Sequence, residues 1–144
     1  MNKVTILLVE DSPDDAELAL RALRKHNLLN SVTHLEDGVE ALDFMYGRGR
    51  FQGRDLSEQP KLILLDLKLP RLNGLEVLAT VKADQSLRHI PIVMLTSSRE
   101  DPDIKQAYKL GANSYIVKPV DFEQFLTAVS DIGYYWMLIN QPAK

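Results

Sequence analysis

The stretch Leu62-Ile63-Leu64-Leu65-Asp66 decides the fold. Four apolar residues in a row show neither the alternation of a half-exposed strand nor the spacing of an amphipathic helix, and they run straight into an acid. A strand reads this way when helices cover both of its faces, as in a parallel sheet. Two more runs of strand length share the pattern: Val4-Thr5-Ile6-Leu7-Leu8-Val9 before Glu10-Asp11, and Ile90-Pro91-Ile92-Val93-Met94-Leu95 before Thr96-Ser97-Ser98. Ser31-Val32-Thr33-His34-Leu35 and Ser114-Tyr115-Ile116-Val117, the latter running into Lys118-Pro119, supply two further strands.

Helical patterns fill the intervals. Ala16, Ala19, Leu20 and Leu23 keep i, i+3, i+4, i+7 spacing behind Ser12-Pro13, a start signal with proline at the first helical position. A second helix is predicted over about Val39 to Tyr46. Leu75, Leu78 and Ala79 mark a third, and Ile104, Ala107 and Tyr108 a fourth that Gly111 stops. Phe122, Phe125, Leu126 and Val129 mark a fifth, with Asp121 as its cap. Five strand-helix units with right-handed crossovers make a doubly wound α/β sandwich. The segment 47–60 is long for a helix-to-strand connection, which usually takes only a few residues.

With 144 residues, the chain fits one domain able to bury a core. A net charge of −3 lacks the basic footprint of a nucleic-acid binder, and no run reaches the roughly 20 apolar residues of a membrane span. The N-terminus does not read as a signal peptide, so the expected location is cytoplasmic. Without cysteine there is no disulfide, thiolate site or Cys nucleophile, and His26, His34 and His89 are too scattered for a zinc site.

In an open α/β sheet, ligands bind at the carboxyl ends of the strands. Glu10 and Asp11, Asp66, Thr96, and Lys118 stand at four such ends, so the fold gathers them into one crevice. Clustered carboxylates repel one another and call for a cation or a proton. Oxygen ligands favour Mg²⁺, and an Asp can attack phosphorus to give an acyl phosphate. Such a transfer needs its three equatorial oxygens neutralised: one by the metal, one by Lys118, one by the Thr96 hydroxyl with a backbone N–H. Each residue also has a plainer use, Asp11 or Ser12 as a helix cap and Lys118 as a surface charge.

The ordered set Val9-Glu10-Asp11, Leu65-Asp66-Leu67-Lys68-Leu69-Pro70-Arg71-Leu72-Asn73-Gly74, Leu95-Thr96-Ser97 and Lys118-Pro119 resembles the receiver domain of bacterial response regulators. The resemblance covers about residues 4–130 and makes 1–144 a single receiver domain, with 131–144 extending the last helix into a tail. It implies a flavodoxin-like (CheY-like) sheet of strand order 2-1-3-4-5 with five helices. Carried over, Asp66 is the phosphoacceptor and a Mg²⁺ ligand, Asp11 a direct ligand, Glu10 a ligand through water, and the Lys68 carbonyl completes the set. Thr96 is the switch hydroxyl, Lys118 the phosphoryl-binding cation, and Tyr115 the aromatic that moves between outward and inward rotamers. A permanently packed Tyr115 is the alternative. The Lys118–Pro119 bond is expected to be cis. Glu10 replaces the commoner Asp and keeps an acid with a longer reach. Lys68 and Ser98 stand where receivers tune the lifetime of the acyl phosphate.

The implied partner is a sensor histidine kinase, and the protein is not an enzyme beyond assisting its own phosphorylation and dephosphorylation. No output domain is expected after the receiver, so output is expected through protein contacts. Tyr134, Tyr135 and Trp136 either finish the core or cross to a second copy in a two-fold dimer. The long 47–60 segment, stand-alone architecture and Tyr-Trp tail look like the small response regulators partnered with phytochrome-type kinases. The rival reading is an interaction module that no longer needs phosphate, although none of its acids nor Lys118 is lost. A phosphatase with an Asp nucleophile would want a second acid two residues on, where Lys68 stands.

Overall fold

The computed structural model describes residues 6–24, 32–118 and 122–134. Within the last helix the side chains of Phe122, Phe125, Leu126, Val129 and Tyr134 are not described. Asp121, the Lys118–Pro119 bond with its expected cis geometry, Tyr135 and Trp136 also lie outside the described residues.

Five strands, β1 (Ile6–Val9), β2 (Val32–Leu35), β3 (Leu62–Leu65), β4 (Ile92–Thr96) and β5 (Ser114–Val117), alternate with five helices. These are α1 (Pro13–Arg24), α2 (Gly38–Tyr46), α3 (Gly74–Ala83), α4 (Asp101–Leu110) and α5 (Phe122–Tyr134). The sheet has the order β2-β1-β3-β4-β5 and every pair is parallel, as expected. Register aligns Val9 with Leu35 on one side and with Leu65 on the other, so Glu10 and Asp66 leave the sheet side by side. Their backbones continue the ladder: Glu10 N–H donates to Leu35 O and Asp66 N–H to Val9 O, both at 3.0 Å.

The continuous apolar runs are divided by parity. Leu7, Val9, Ile63, Leu65, Ile92 and Met94 face α2, α3 and α4 in one core, while Ile6, Leu8, Leu62, Leu64, Val93 and Leu95 face α1 in the other. α5 lies against α1 and completes that second layer. Two-sided burial is what removes the polar alternation from the sequence.

Local differences have local causes. β4 starts at Ile92 instead of Ile90, because the Ile90 N–H is taken by Leu87 O in the preceding turn and Pro91 has no N–H. Tyr108, read as a core position of α4, is 50% exposed; Ala107 alone is fully covered on that helix. Gly111 ends α4 as expected, at φ 111°, where a β-carbon would be strained. The segment 47–60 is built, with a 3₁₀ turn at Gly49–Phe51. The Arg54 guanidinium donates to Phe44 O (2.8 Å), Glu58 O (2.7 Å) and Gln59 Oε1 (3.0 Å) and lies 3.8 Å over the Phe44 ring.

Candidate functional site

Because β1, β3 and β5 end at one rim, three loops bring their charges together there. Oxygens of Glu10, Asp11 and Asp66 all lie within 4.8 Å of one another, a group able to hold a metal ion. At that spacing each carboxylate pair repels by about 3–4 kcal/mol at an effective dielectric of about 20. Glu10 and Asp66 are 2% and 8% exposed, whereas Asp11 is open to solvent. Buried carboxylates beside an exposed third fit a hard divalent cation that keeps water.

Lys118 enters the same space from the end of β5, its N–H bonded to Thr96 O at 2.7 Å. Its ammonium contacts Glu10 Oε1 at 2.6 Å, Asp15 Oδ2 at 2.8 Å and Asp66 Oδ2 at 3.3 Å, with the side chain only 8% exposed. Burial alone would lower the lysine; the Asp15, Glu10 and Asp66 carboxylates more than reverse this and raise it above the ordinary lysine range. Burial pushes the Glu10 carboxyl up to about 7, the Asp66 charge adds to the shift, and Lys118 opposes it. Glu10 is pinned on both oxygens, since Oε2 accepts from the Ser12 N–H at 3.1 Å.

The first helix starts as its residues require. Ser12 Oγ accepts from the Asp15 N–H at 3.3 Å, so Ser12 is the cap and Asp11 is left free for the rim. Sequence reading missed Asp15. Side chains of a helix lean toward its N-terminus, so the third residue after the cap reaches back over the strand ends. An acid three residues past Ser12 was the available signal.

Asp66 is placed by the loop that follows it. Its Oδ1 accepts from the Leu67 N–H at 2.7 Å, leaving Oδ2 toward Lys118. Gly74 packs under this turn: a β-carbon there would stand 2.0 Å from the Asp66 carbonyl oxygen, and the Gly74 N–H donates to Leu67 O at 2.7 Å. Asn73 and Glu76 form a capping box at the start of α3. Arg71, at φ 64°, is the centre of a three-residue turn closed by Leu72 N–H to Pro70 O at 2.7 Å. This positive-φ γ-turn is rare and strained. The Arg71 guanidinium holds Asp37 Oδ2 at 2.7 Å, and Asp37 in turn caps α2 through the Glu40 N–H. Lys68 is exposed in this loop, two residues past Asp66.

Thr96 is 1% exposed at the end of β4, and its Oγ1 accepts from the Ser98 N–H at 3.3 Å. Tyr115 is half-buried against the α2–α4 core, and its hydroxyl donates to Ser98 O at 3.1 Å. Its ring is therefore neither free nor sealed in the core.

The response regulator receiver domain model matches residues 6–130. The chain is 36% identical over 139 residues to response regulator Rcp1 of a Synechocystis species, covering 96% of this chain and 92% of that protein. The Mn²⁺-bound form of Rcp1 superposes with a TM-score of 0.89 at 33% identity, over 98% and 99% of the two chains. The phosphorylated cyanobacterial phytochrome response regulator RcpA gives 0.90 at 35% identity over the whole of both chains. The bacteriophytochrome response regulator AtBRR gives 0.75 at 51% identity, over 98% and 100%.

Proposed function

Since the chain belongs to the response regulator receiver domain family, we propose that Asp66 accepts a phosphoryl group from a sensor histidine kinase and that the phosphorylated form changes what the protein binds. The observation that carries this reading is the convergence of Lys118 on Asp66 inside a group of carboxylates. An Asp66 oxygen attacks phosphorus, the bond from phosphorus to the donor breaks, and the electron pair leaves with the donor. Lys118 meets one phosphoryl oxygen with an N–H it already presents at 3.3 Å to Asp66. The Thr96 hydroxyl, whose oxygen accepts from the Ser98 N–H, turns its O–H to donate to another phosphoryl oxygen, and Tyr115 is the aromatic that follows. Glu10, Asp11, Asp66 and the Lys68 carbonyl would hold Mg²⁺, which supplies neutralising charge on the phosphoryl group when bound.

On this reading the protein is a phosphoacceptor that assists its own phosphorylation and dephosphorylation, not an enzyme acting on other molecules. Similarity to RcpA, Rcp1 and AtBRR supports a phytochrome-type kinase as the donor. Cytoplasmic action is part of this proposal. Among the described residues no helix is long and apolar enough to cross a membrane. A homodimer through the last helix and tail belongs to the same proposal, and sedimentation of a chain truncated before Tyr134 tests it: an unchanged mass ends the idea. For the site, acetyl phosphate with Mg²⁺ should label the wild type, and Asp66→Asn should abolish the label. Full labelling of that variant removes the assignment. Phosphotransfer from phytochrome-type and unrelated kinases then distinguishes the donors.

A further inference from the structure

We propose that Asp15 is a positioning residue for Lys118, the carboxylate that keeps the ammonium beside Asp66 once the remaining acids share a cation. The inference rests on the phosphoacceptor reading above. An ammonium has three N–H groups, and Lys118 places its three on Glu10, Asp15 and Asp66. Only Asp15 of these three lies outside the group of carboxylates close enough to hold one ion. A dication among Glu10, Asp11 and Asp66 would draw on the charge of two of the lysine's partners and would repel the ammonium itself. Asp15 is the partner left to oppose that repulsion. It does so from outside that group of carboxylates, so the ammonium stays beside Asp66 while its other bonds are exchanged.

The placement is specific. Asp15 is held by the N–H bond to Ser12 Oγ at the first turn of α1, and its side chain is 35% exposed where that of Lys118 is 8% exposed. Asp14, the adjacent acid, is exposed and forms no ion pair with Lys118. Removing Asp14 therefore subtracts the same charge from the same turn without touching the lysine, which makes it the matched control.

The test uses the full chain and two readouts. Mg²⁺ affinity is measured by calorimetry with no phosphodonor, and labelling by acetyl phosphate is followed by intact-mass spectrometry at saturating Mg²⁺. Asp15→Asn should slow labelling about five- to tenfold, the scale of one charge-assisted hydrogen bond discounted for partial exposure. It should weaken Mg²⁺ binding about threefold, because Lys118 then competes harder for Glu10 and Asp66. Asp14→Asn should change either quantity by less than about twofold. In a Lys118→Ala background, Asp15→Asn should have little further effect on either readout, since the residue it positions is gone. Asp15→Glu, which keeps the charge one methylene farther out, should recover part of the rate and guards against a variant that merely misfolds. Wild-type labelling in Asp15→Asn overturns the proposal. So does an equal loss in Asp14→Asn or an undiminished effect without Lys118. A wild-type chain that takes no label at all overturns the phosphoacceptor reading itself, and the positioning role with it.

Discussion

Replacing Gly74 with alanine tests whether the site and the fold share one close contact. The added β-carbon would stand 2.0 Å from the Asp66 carbonyl oxygen and 3.0 Å from the Leu67 Cα. Restoring even 3.0 Å to the carbonyl requires about 1 Å of movement, and both partners are backbone, so no side-chain rotation can supply it. Overpacking of this kind costs about 1–3 kcal/mol. The shift also strains the Gly74 N–H bond to Leu67 O, 2.7 Å long, whose loss adds about 1 kcal/mol. The sum, about 2–4 kcal/mol, corresponds to a melting temperature lower by about 6–12 °C. Calorimetry or urea unfolding of the purified variant measures it. Because the recoil moves the turn that orients Asp66, acetyl-phosphate labelling should fall as well, at temperatures where the variant is folded. A melting temperature within about 1 °C of wild type would show that the β3–α3 turn yields freely and would refute the reasoning.

Three more expectations follow from contacts around the rim and its supports. Arg71 occupies a left-handed conformation, so Arg71→Gly should melt about 2–4 °C above Arg71→Ala although both lose the ion pair to Asp37; equal melting temperatures would show that the γ-turn stores no strain. Burial would raise Asp37, yet the Glu40 N–H and the Arg71 guanidinium outweigh it and hold the carboxyl below its usual range. A depressed carboxylate stabilises above its unfolded pKa of about 4, and that share is lost as pH falls through the folded value; Asp37→Asn should flatten the stability profile below about pH 4, and a slope like that of wild type would contradict the assignment. Arg54→Met should cost about 1–3 kcal/mol by leaving the carbonyls of Phe44 and Glu58 short of a donor, and limited proteolysis should open the 47–60 segment; a variant as resistant as wild type would mean the guanidinium does not pin it.

The legible parts of this chain are those set by local pattern. Leu62 to Leu65 reads as a doubly covered strand because the residue types alone exclude a solvent face, and the acids, hydroxyl and lysine are then located by the rule that strand ends converge. Asp15, Arg54 and Arg71 were hidden for a common reason. Each acts through a charged group whose partner is distant in sequence or belongs to the backbone: Lys118 for Asp15, Phe44 O for Arg54, Asp37 for Arg71. No periodicity encodes such a pair. Tyr108 failed in the opposite direction, since spacing marked a core position on a helix whose buried stripe is one alanine wide.

The rim divides into a fixed part and a part with somewhere to go. Glu10 is held on both carboxylate oxygens, Asp66 is held by Leu67 and braced by Gly74, and Lys118 has three acceptors. Ser98 is different, because four contacts meet on it. Its N–H reaches Thr96 Oγ1, its carbonyl accepts from Tyr115, and its hydroxyl accepts from the Glu100 N–H and donates to Asp103 in the first turn of α4. A phosphoryl group brings up to about two negative charges to the rim and offers oxygens to which the Thr96 O–H can donate. If the Thr96 hydroxyl turns to such an oxygen, the Ser98 N–H loses its acceptor. Relaxation of Ser98 then reaches the Tyr115 hydroxyl and the Asp103 carboxylate together. On the proposed function, anchored charges on one side and a single shared residue on the other would let a reaction at Asp66 become a change of surface at β5 and α4.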